Sequence, residues 1–425
     1  MATSTTTSSS IPQSDSSSRE ILDWTQRVLD ACGPRPAGSA SCLKAAELIV
    51  QDLGEHCDRA ELQPFECRPW AFLWHSVAGA AILVVAAALL FFGQVVAAAL
   101  LSAAVAAVSV TQFGFYRELV DNLFPARRCA NAVGVIEPRG PVQRQIVLSS
   151  HHDSAYEFRV LRFSRHLYVA GSVAHMISGY SLPLVLGGLL LAQQAFGFEI
   201  PRALLRGLAL FAGIPALFFM AYFSRRAVPG AGDNLVSTGI LVHVARVFRE
   251  MRNRDPEALA GTRLVLVSFD AEESGLRGSR AFVRDHRELL QSAPTVNLNL
   301  ESFYRLEDLA VLTVDLNGFV PLSKRLAQAF IEEGAAQGVR VAPMTMIYGR
   351  GACDSASFAQ VGIEATTLLA VPHDPVGKGK VIYHTREDRP ENLEPEAIEV
   401  AAKLTLRMVE RLGRALEADL KQEAV

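Results

Sequence analysis

Phe269-Asp270-Ala271-Glu272-Glu273-Ser274-Gly275-Leu276-Arg277-Gly278-Ser279 is the stretch on which the fold turns. Two adjacent carboxylates follow the apolar run Leu264–Phe269, which is short and β-branched enough to read as a buried strand. A Glu pair on a helix surface is ordinarily just solvated. Here the pair stands past a strand end and is followed by Gly-x-x-Gly-Ser, a different setting. In open α/β sheets ligands bind beyond the carboxyl ends of the strands. Neighbouring carboxylates can then divide the labour, one holding a metal while the other handles a proton.

Outward from this stretch the same pattern recurs. Ala130–Ile136, Gln145–Ser150, Thr295–Leu300, Leu309–Val314 and Ala365–Ala370 read as further strands, and Glu61–Phe65 looks extended. Helical periodicity runs from Glu20, through Leu43–Leu53, over Lys324–Glu333 and over Glu396–Leu416. Continuous apolar strands alternating with helices imply an α/β fold with a mostly parallel mixed sheet, covered by helices on both faces.

Four more polar clusters lie at strand ends or in loops. His151-His152-Asp153-Ser154 follows Gln145–Ser150, and extended backbone turns His151 and Asp153 to one side. His151 is a candidate metal ligand with Asp153 supporting it; alone, the cluster reads equally well as a polar loop. Gly230-Ala231-Gly232-Asp233-Asn234 permits close backbone approach, although Asp233 alone reads as a helix N-cap. Asn297-Leu298-Asn299-Leu300-Glu301-Ser302 ends an apolar strand in a carboxylate. Tyr383-His384-Thr385-Arg386-Glu387-Asp388 carries a loop His, by default a surface residue. Together they offer His, Asp, Glu, Glu and His with a spare Glu, the mixture of nitrogen and oxygen ligands that suits two zinc ions about 3.5–4 Å apart.

Half of the 425 residues are hydrophobic, more than a soluble enzyme of this length needs. Ala71–Tyr116 contains no Asp, Glu, Lys or Arg; neither does Leu167–Phe198 or Gly207–Ser224. A spanning helix takes about 20 apolar residues. The runs therefore predict two transmembrane hairpins, 71–116 and 167–224, inserted into one α/β domain made of 20–70, 117–166 and 225–425. The competing reading is a set of Ala-rich core helices. The pieces of the domain meet only if each insert crosses the bilayer an even number of times. Arg68, Arg117, Arg127, Arg128, Arg162, Arg165, Arg225 and Arg226 flank the domain side, against Arg202 and Arg206 opposite. The positive-inside rule then places the catalytic domain on the cytoplasmic side of a multi-pass membrane protein. Residues 1–19 read as a disordered Ser/Thr-rich tail. The six cysteines form no CxxC, which argues against a zinc–thiolate site, and a net charge of −3 argues against nucleic acid as a partner.

The order H-x-D, G-A-x-D-N, E-E-x-G-x-x-G-S, N-L-E and Y-H-T resembles the co-catalytic zinc exopeptidase family of aminopeptidase Y, bacterial leucyl aminopeptidases, glutamate carboxypeptidase and glutaminyl cyclase. The resemblance covers about Leu43 to Leu412, hairpins excluded. It implies two zinc ions, with His151 and Glu301 on one, Glu273 and His384 on the other, and Asp233 shared. It implies Glu272 as general base and Asp153 as the residue that orients His151. The family commonly has Asp where Glu301 stands, and another register puts Asn299 there. Gly351-Ala352-Cys353-Asp354-Ser355 resembles the family's Ser-Asp-His segment with changed neighbours, so Asp354 is a candidate for shaping the site. Tyr348 and Arg350 are candidates for polarising the substrate carbonyl. The expected partners are a peptide substrate and membrane lipid; oligomeric state is left open. Amino-terminal peptide hydrolysis is the first reading. A glutaminyl-cyclase-like acyltransferase, a ligand-free membrane scaffold and a transport pathway past His175 are the alternatives.

Overall fold

The structure is a computed structural model that describes residues 17–255, 259–372 and 381–423. Most of the expected tail lies outside the described residues. The first helix, Ser17–Cys32, takes in residues 17–19 that the tail was expected to include.

Eleven strands are described: β1 (Arg59–Cys67), β2 (Arg127–Ile136), β3 (Arg144–His151), β4 (Tyr156–Phe158), β5 (Phe223–Ala227), β6 (Thr262–Phe269), β7 (Thr295–Phe303), β8 (Ala310–Asp315), β9 (Val320–Pro321), β10 (Ala342–Thr345) and β11 (Glu364–Ala370). The main sheet runs β1-β2-β6-β3-β7-β11-β8-β10, with β9 on β8, while β4 and β5 form a separate ribbon. The expectation of a mostly parallel sheet is corrected. The centre, β6-β3-β7-β11, is parallel, and β10 is parallel to β8. The pairs β1–β2, β2–β6, β11–β8 and β8–β9 are antiparallel. The sheet is therefore mixed: a parallel heart with reversed strands on both sides.

Period-two alternation assigns the apolar side chains to the two faces. Ile146, Leu148, Leu264, Leu266, Leu298 and Leu300 pack on one face, under the helices Val236–Arg254 and Lys324–Ala336, through Ile240, Val244, Phe248 and Phe330. Val147, Val265, Val267 and Phe269 pack on the other face, against Phe282 of helix Arg277–Asp285 and Phe358 of helix Ser355–Ala359. Each large side chain buried this way contributes about 1.5–3 kcal/mol, so both faces are held by ordinary hydrophobic burial.

Four helices are long and apolar enough to cross a membrane: Pro69–Phe91, Val95–Gly114, Arg165–Phe196 and Arg202–Phe219. They coincide with the uncharged runs. The first packs on the second and fourth, and the third packs on the same two, closing a ring of four. Small residues line the contacts. Ala86, Ala87, Ala98, Ala209 and Ala212 are buried there, and a Cβ on Gly213 would stand 3.1 Å from that of Ala87. Close approach of this kind is how helices pack where no water drives them together. Outward residues such as Leu184 (76% exposed) and Leu100 (67%) face away from the protein.

Strand direction fixes where these helices emerge. Since β1 is antiparallel to β2 and β2 to β6, β1 runs the same way as β6, β3 and β7. The first helix pair follows the carboxyl end of β1, and the second follows the carboxyl end of β3 by way of β4. Both pairs leave from one edge of the sheet.

The second glycine of the Glu-Glu motif shows how tightly that edge is packed. A Cβ on Gly278 would lie 2.0 Å from the backbone oxygen of Asp270 and 2.7 Å from Oδ1 of Asn131. Gly278→Ala is expected to destabilise the chain by about 1–3 kcal/mol through overpacking, read as a lower melting temperature of the purified protein in detergent. An unchanged melting temperature would show that the strand end yields at no cost.

Candidate metal centre

The carboxyl ends of β3, β6 and β7 bring His151, the Glu272-Glu273 pair and Glu301 to one place. Alternation sends the two adjacent histidines apart. His152 Nδ1 lies 3.0 Å from Ser268 Oγ, behind the sheet edge. His151 faces the site, with Nδ1 at 3.2 Å from Asp153 Oδ1. An Nδ1–H donated to that carboxylate leaves Nε2 free as a ligand atom. Nε2 in turn lies 3.2 Å from Glu301 Oε1, 3.3 Å from Asp233 Oδ1 and 3.8 Å from Glu272 Oε2. On the other side, His384 Nε2 is 2.9 Å from Asp233 Oδ2 and 3.2 Å from Glu273 Oε1. One oxygen of Asp233 thus faces each imidazole.

Two groups of ligand atoms result: His151, Glu272 and Glu301, and Asp233, Glu273 and His384. Asp233 Oδ2, Glu273 Oε1, Glu301 Oε2 and His384 Nε2 are buried and make no hydrogen bond. Orphaned carboxylate and imidazole atoms that converge are the mark of a cation site, and this donor set fits zinc.

Asn299 does not take the ligand position. Its Oδ1 accepts from Ser149 Oγ at 2.8 Å, one strand across, which spends it on the sheet. Asp354 is fully buried at the head of helix Ser355–Ala359, and burial pushes its carboxyl well above the usual range. The Tyr348 hydroxyl lies 2.6 Å from that of Tyr180 on the third apolar helix. Arg350 is exposed on the same loop.

Several residues that hold the ligands in place escape a reading of the sequence. The Asp388 carboxylate accepts the N–H groups of Gly232 (2.6 Å) and Asp233 (3.2 Å) and the Tyr304 hydroxyl. Asn234 staples the same loop to β7, donating to Leu300 O and accepting from Ser302 N. Arg35 is fully buried and donates to four carbonyls, those of Gly33, His152, Pro229 and Gly230, so it braces the His151 strand against the Asp233 loop. Asp388 lies inside the Tyr383–Asp388 motif, whereas nothing near Arg35 in sequence signals its partners. Gly230, at φ +63, has no room for a side chain: a Cβ would meet that of Ser154 at 2.6 Å.

Crowding dominates the electrostatics. Burial pushes Glu272 well above the usual carboxylate range; His151 opposes this, and Glu301, Asp354 and Glu273 add to it. Burial likewise lifts Glu273 to about 7 against the pull of His384. Burial opposes charge on His384 as well, yet Glu273 and Asp233 hold it up at about 10. A buried site with more carboxylates than imidazoles favours any cation that enters.

Comparison with known proteins bears out the resemblance read from the motifs. Residues 216–409 match the family model described as Peptidase family M28. Aminopeptidase YwaD of Bacillus subtilis (strain 168) is 28% identical over 209 residues, 46% of this chain and 42% of that protein. The chain thus spans less than half the length of this curated relative. Among solved structures, an aminopeptidase from Aneurinibacillus sp. strain AM-1 aligns with a TM-score of 0.53 at 14% identity, covering 92% of this chain and 93% of that one. BSAP, a zinc aminopeptidase from Bacillus subtilis, gives 0.53 at 15%, covering 93% and 94%. Porphyromonas gingivalis glutaminyl cyclase gives 0.54 at 13%, covering 93% and 98%. At such identities the structural likeness shows the fold, and the family match covers residues 216–409, the part of the chain that carries Asp233, Glu272, Glu273, Glu301 and His384.

The Asp153 contact yields a direct test. Asp153→Asn removes the charge that fixes the His151 tautomer, and zinc affinity is expected to fall about 10- to 100-fold, measured by competition with a chromogenic chelator. Unchanged affinity would mean that the carboxylate serves only the backbone.

Proposed function

We propose that this chain is a multi-pass membrane zinc aminopeptidase that hydrolyses peptides with two metal ions. The observation that carries the reading is Asp233, whose two oxygens stand within 3.3 Å of His151 and 2.9 Å of His384. A carboxylate set between two imidazoles, each with its own Glu, suits a pair of ions better than one. His151 and Glu301 would hold the first ion, Glu273 and His384 the second, with Asp233 shared. A bound zinc pair supplies Lewis acidity, making water acidic and polarising the scissile carbonyl.

The remaining work falls to the chain's own groups. Glu272 Oε2 stands 3.8 Å from His151 Nε2, farther than the oxygens of Asp233 and Glu301 at 3.3 and 3.2 Å, which leaves it for proton transfer beside the ligands. It takes the proton of the attacking water and returns it to the leaving amine. Asp153 keeps His151 in the ligating tautomer. The buried walls exclude bulk water, which strengthens each of these interactions.

A glutaminyl-cyclase-like activity shares the fold, but the aminopeptidase relative and the two separate groups of ligand atoms favour the two-metal peptidase reading. The intact ligand set argues against a scaffold. The four apolar helices, two from each insert, support membrane spanning with the peptidase domain built from 20–70, 117–166 and 225–425. The excess of arginine on the domain side supports a cytoplasmic placement.

The test compares wild type with Glu272→Gln, measuring zinc content and hydrolysis of aminoacyl amides. Two zincs per chain and turnover are expected for wild type. For the variant, zinc is retained and kcat falls about 10²- to 10⁴-fold. A wild-type chain with neither zinc nor turnover would sink the assignment.

A further inference from the structure

This inference rests on the peptidase reading above and concerns where the substrate comes from. Both helix pairs leave the sheet at the edge that carries the metal centre, and each contributes a wall to it. On the Glu272 side, Phe72 of the first apolar helix lies against Gly275, where a Cβ would stand 2.6 Å from its ring. Phe72 also packs on Tyr116, just past the second helix, at 4.7 Å between centroids. On the opposite side, Phe158 meets the His384 ring edge-on at 4.4 Å and stacks on Tyr168 of the third helix at 5.5 Å.

Two arginine–aromatic contacts mark the ends of the apolar slab. Arg225 sits over Trp74 at 5.4 Å and Arg206 over Phe91 at 5.1 Å. Such pairs settle at membrane–water borders. The helical path from Trp74 to Phe91 is about 26 Å, close to the thickness of a hydrocarbon core.

The loop 346–351 of the peptidase domain lies against the helices at the nearer border. Its Tyr348 bonds to Tyr180, and Met176 Sδ is 3.2 Å from the Cβ position of Gly349. The Asn317 side chain clamps the loop to the second helix, donating to Phe113 O and Gly114 O while accepting from Gly349 N and Gly351 N. Tyr180 follows Gly179, whose Cβ position is 3.4 Å from Leu83 of the first helix. Tyr348 also packs on Phe113 and Phe319 on Phe115, at the domain-side end of the second helix, and at this border the domain leaves Ile347 57% and Phe319 50% exposed. Two large apolar side chains offered here are offered to lipid or to something dissolved in it.

We propose that the centre is fed from the bilayer. Its substrates are peptides with a free amino end whose downstream segment is anchored in the same membrane by an apolar helix, and that anchor passes beside Ile347 and Phe319. A peptide from bulk water gains nothing from these contacts, whereas an anchored one reaches the site from a few residues away.

The experiment uses the full chain in phosphatidylcholine nanodiscs. Its substrates share one amino-terminal sequence, either as a soluble peptide or joined to a transmembrane helix through spacers of ~4, ~8 or ~16 residues, each residue reaching at most ~3.5 Å. Cleavage of the anchored substrate with the shortest spacer at a kcat/KM at least tenfold above the soluble peptide, and little gain from longer spacers, is expected. Cleavage of the soluble peptide and the longest-spacer substrate alone would overturn the inference while leaving the peptidase intact. No cleavage of any substrate by wild type would overturn both readings, and Glu272→Gln serves as the blank.

Discussion

A carboxylate with no exposed surface receives an imidazole from its own strand end and two backbone N–H groups from the next. Asp153 lies 3.2 Å from His151 Nδ1 and accepts the N–H groups of Glu272 (3.1 Å) and Glu273 (3.2 Å). Three of the groups that carry the chemistry are therefore referred to one fixed charge. The arrangement depends on β3 and β6 being parallel neighbours in register, with His151 opposite Phe269. Slip that register by one residue and His151 turns to the wrong face. The hydrophobic alternation of the two strands is what forbids the slip.

Around this point the protein tolerates a concentration of like charge that folding alone would not choose. Burial raises Asp388 to about 7, with Asp233 adding to the effect and the N–H of Gly232 opposing it. Burial and Asp153 raise Asp270, also to about 7. These groups are satisfied by backbone N–H donors instead of by cations, which leaves the orphaned oxygens of Asp233, Glu273 and Glu301 as the places where a positive charge is missing. Stability and function are in tension here, and Arg35 and Asn234 supply the bracing that keeps the crowded loops from drawing apart.

Much of this is legible in the residues themselves, for identifiable reasons. β2, β3, β6, β7, β8 and β11 are continuous apolar runs, because both their faces are covered. β10, Ala342-Pro343-Met344-Thr345, carries a proline and alternates poorly, so it does not stand out as a strand. The ribbon strands β4 and β5 carry Glu157, Arg225 and Arg226 and look like loops. Strand direction is not encoded in the residues of a strand, which is why the reversed flanks read as parallel. At the site, the residues expected to bind metal converge because each sits at a strand end or in a glycine-bearing loop. Arg35 is invisible to pattern, since its partners are main-chain carbonyls, three of them far along the chain. The contact of Tyr348 with Tyr180 is likewise hidden, because Tyr180 lies on an element whose packing no local pattern reveals.

The double interruption of the sheet also dictates an order of events during synthesis. β1 cannot find β2 until the first helix pair has been made and seated, and β3 must wait through the second pair before β6 and β7 exist to flank it. For that interval Ile146, Val147 and Leu148 are an unpaired apolar edge, the kind of segment that invites wrong partners. Packing of the two helix pairs on each other keeps the early fragments close to one another, so the later strands meet a partly gathered template in place of a free chain. Assembly of the four apolar helices thus acts as a folding step for the sheet that they interrupt.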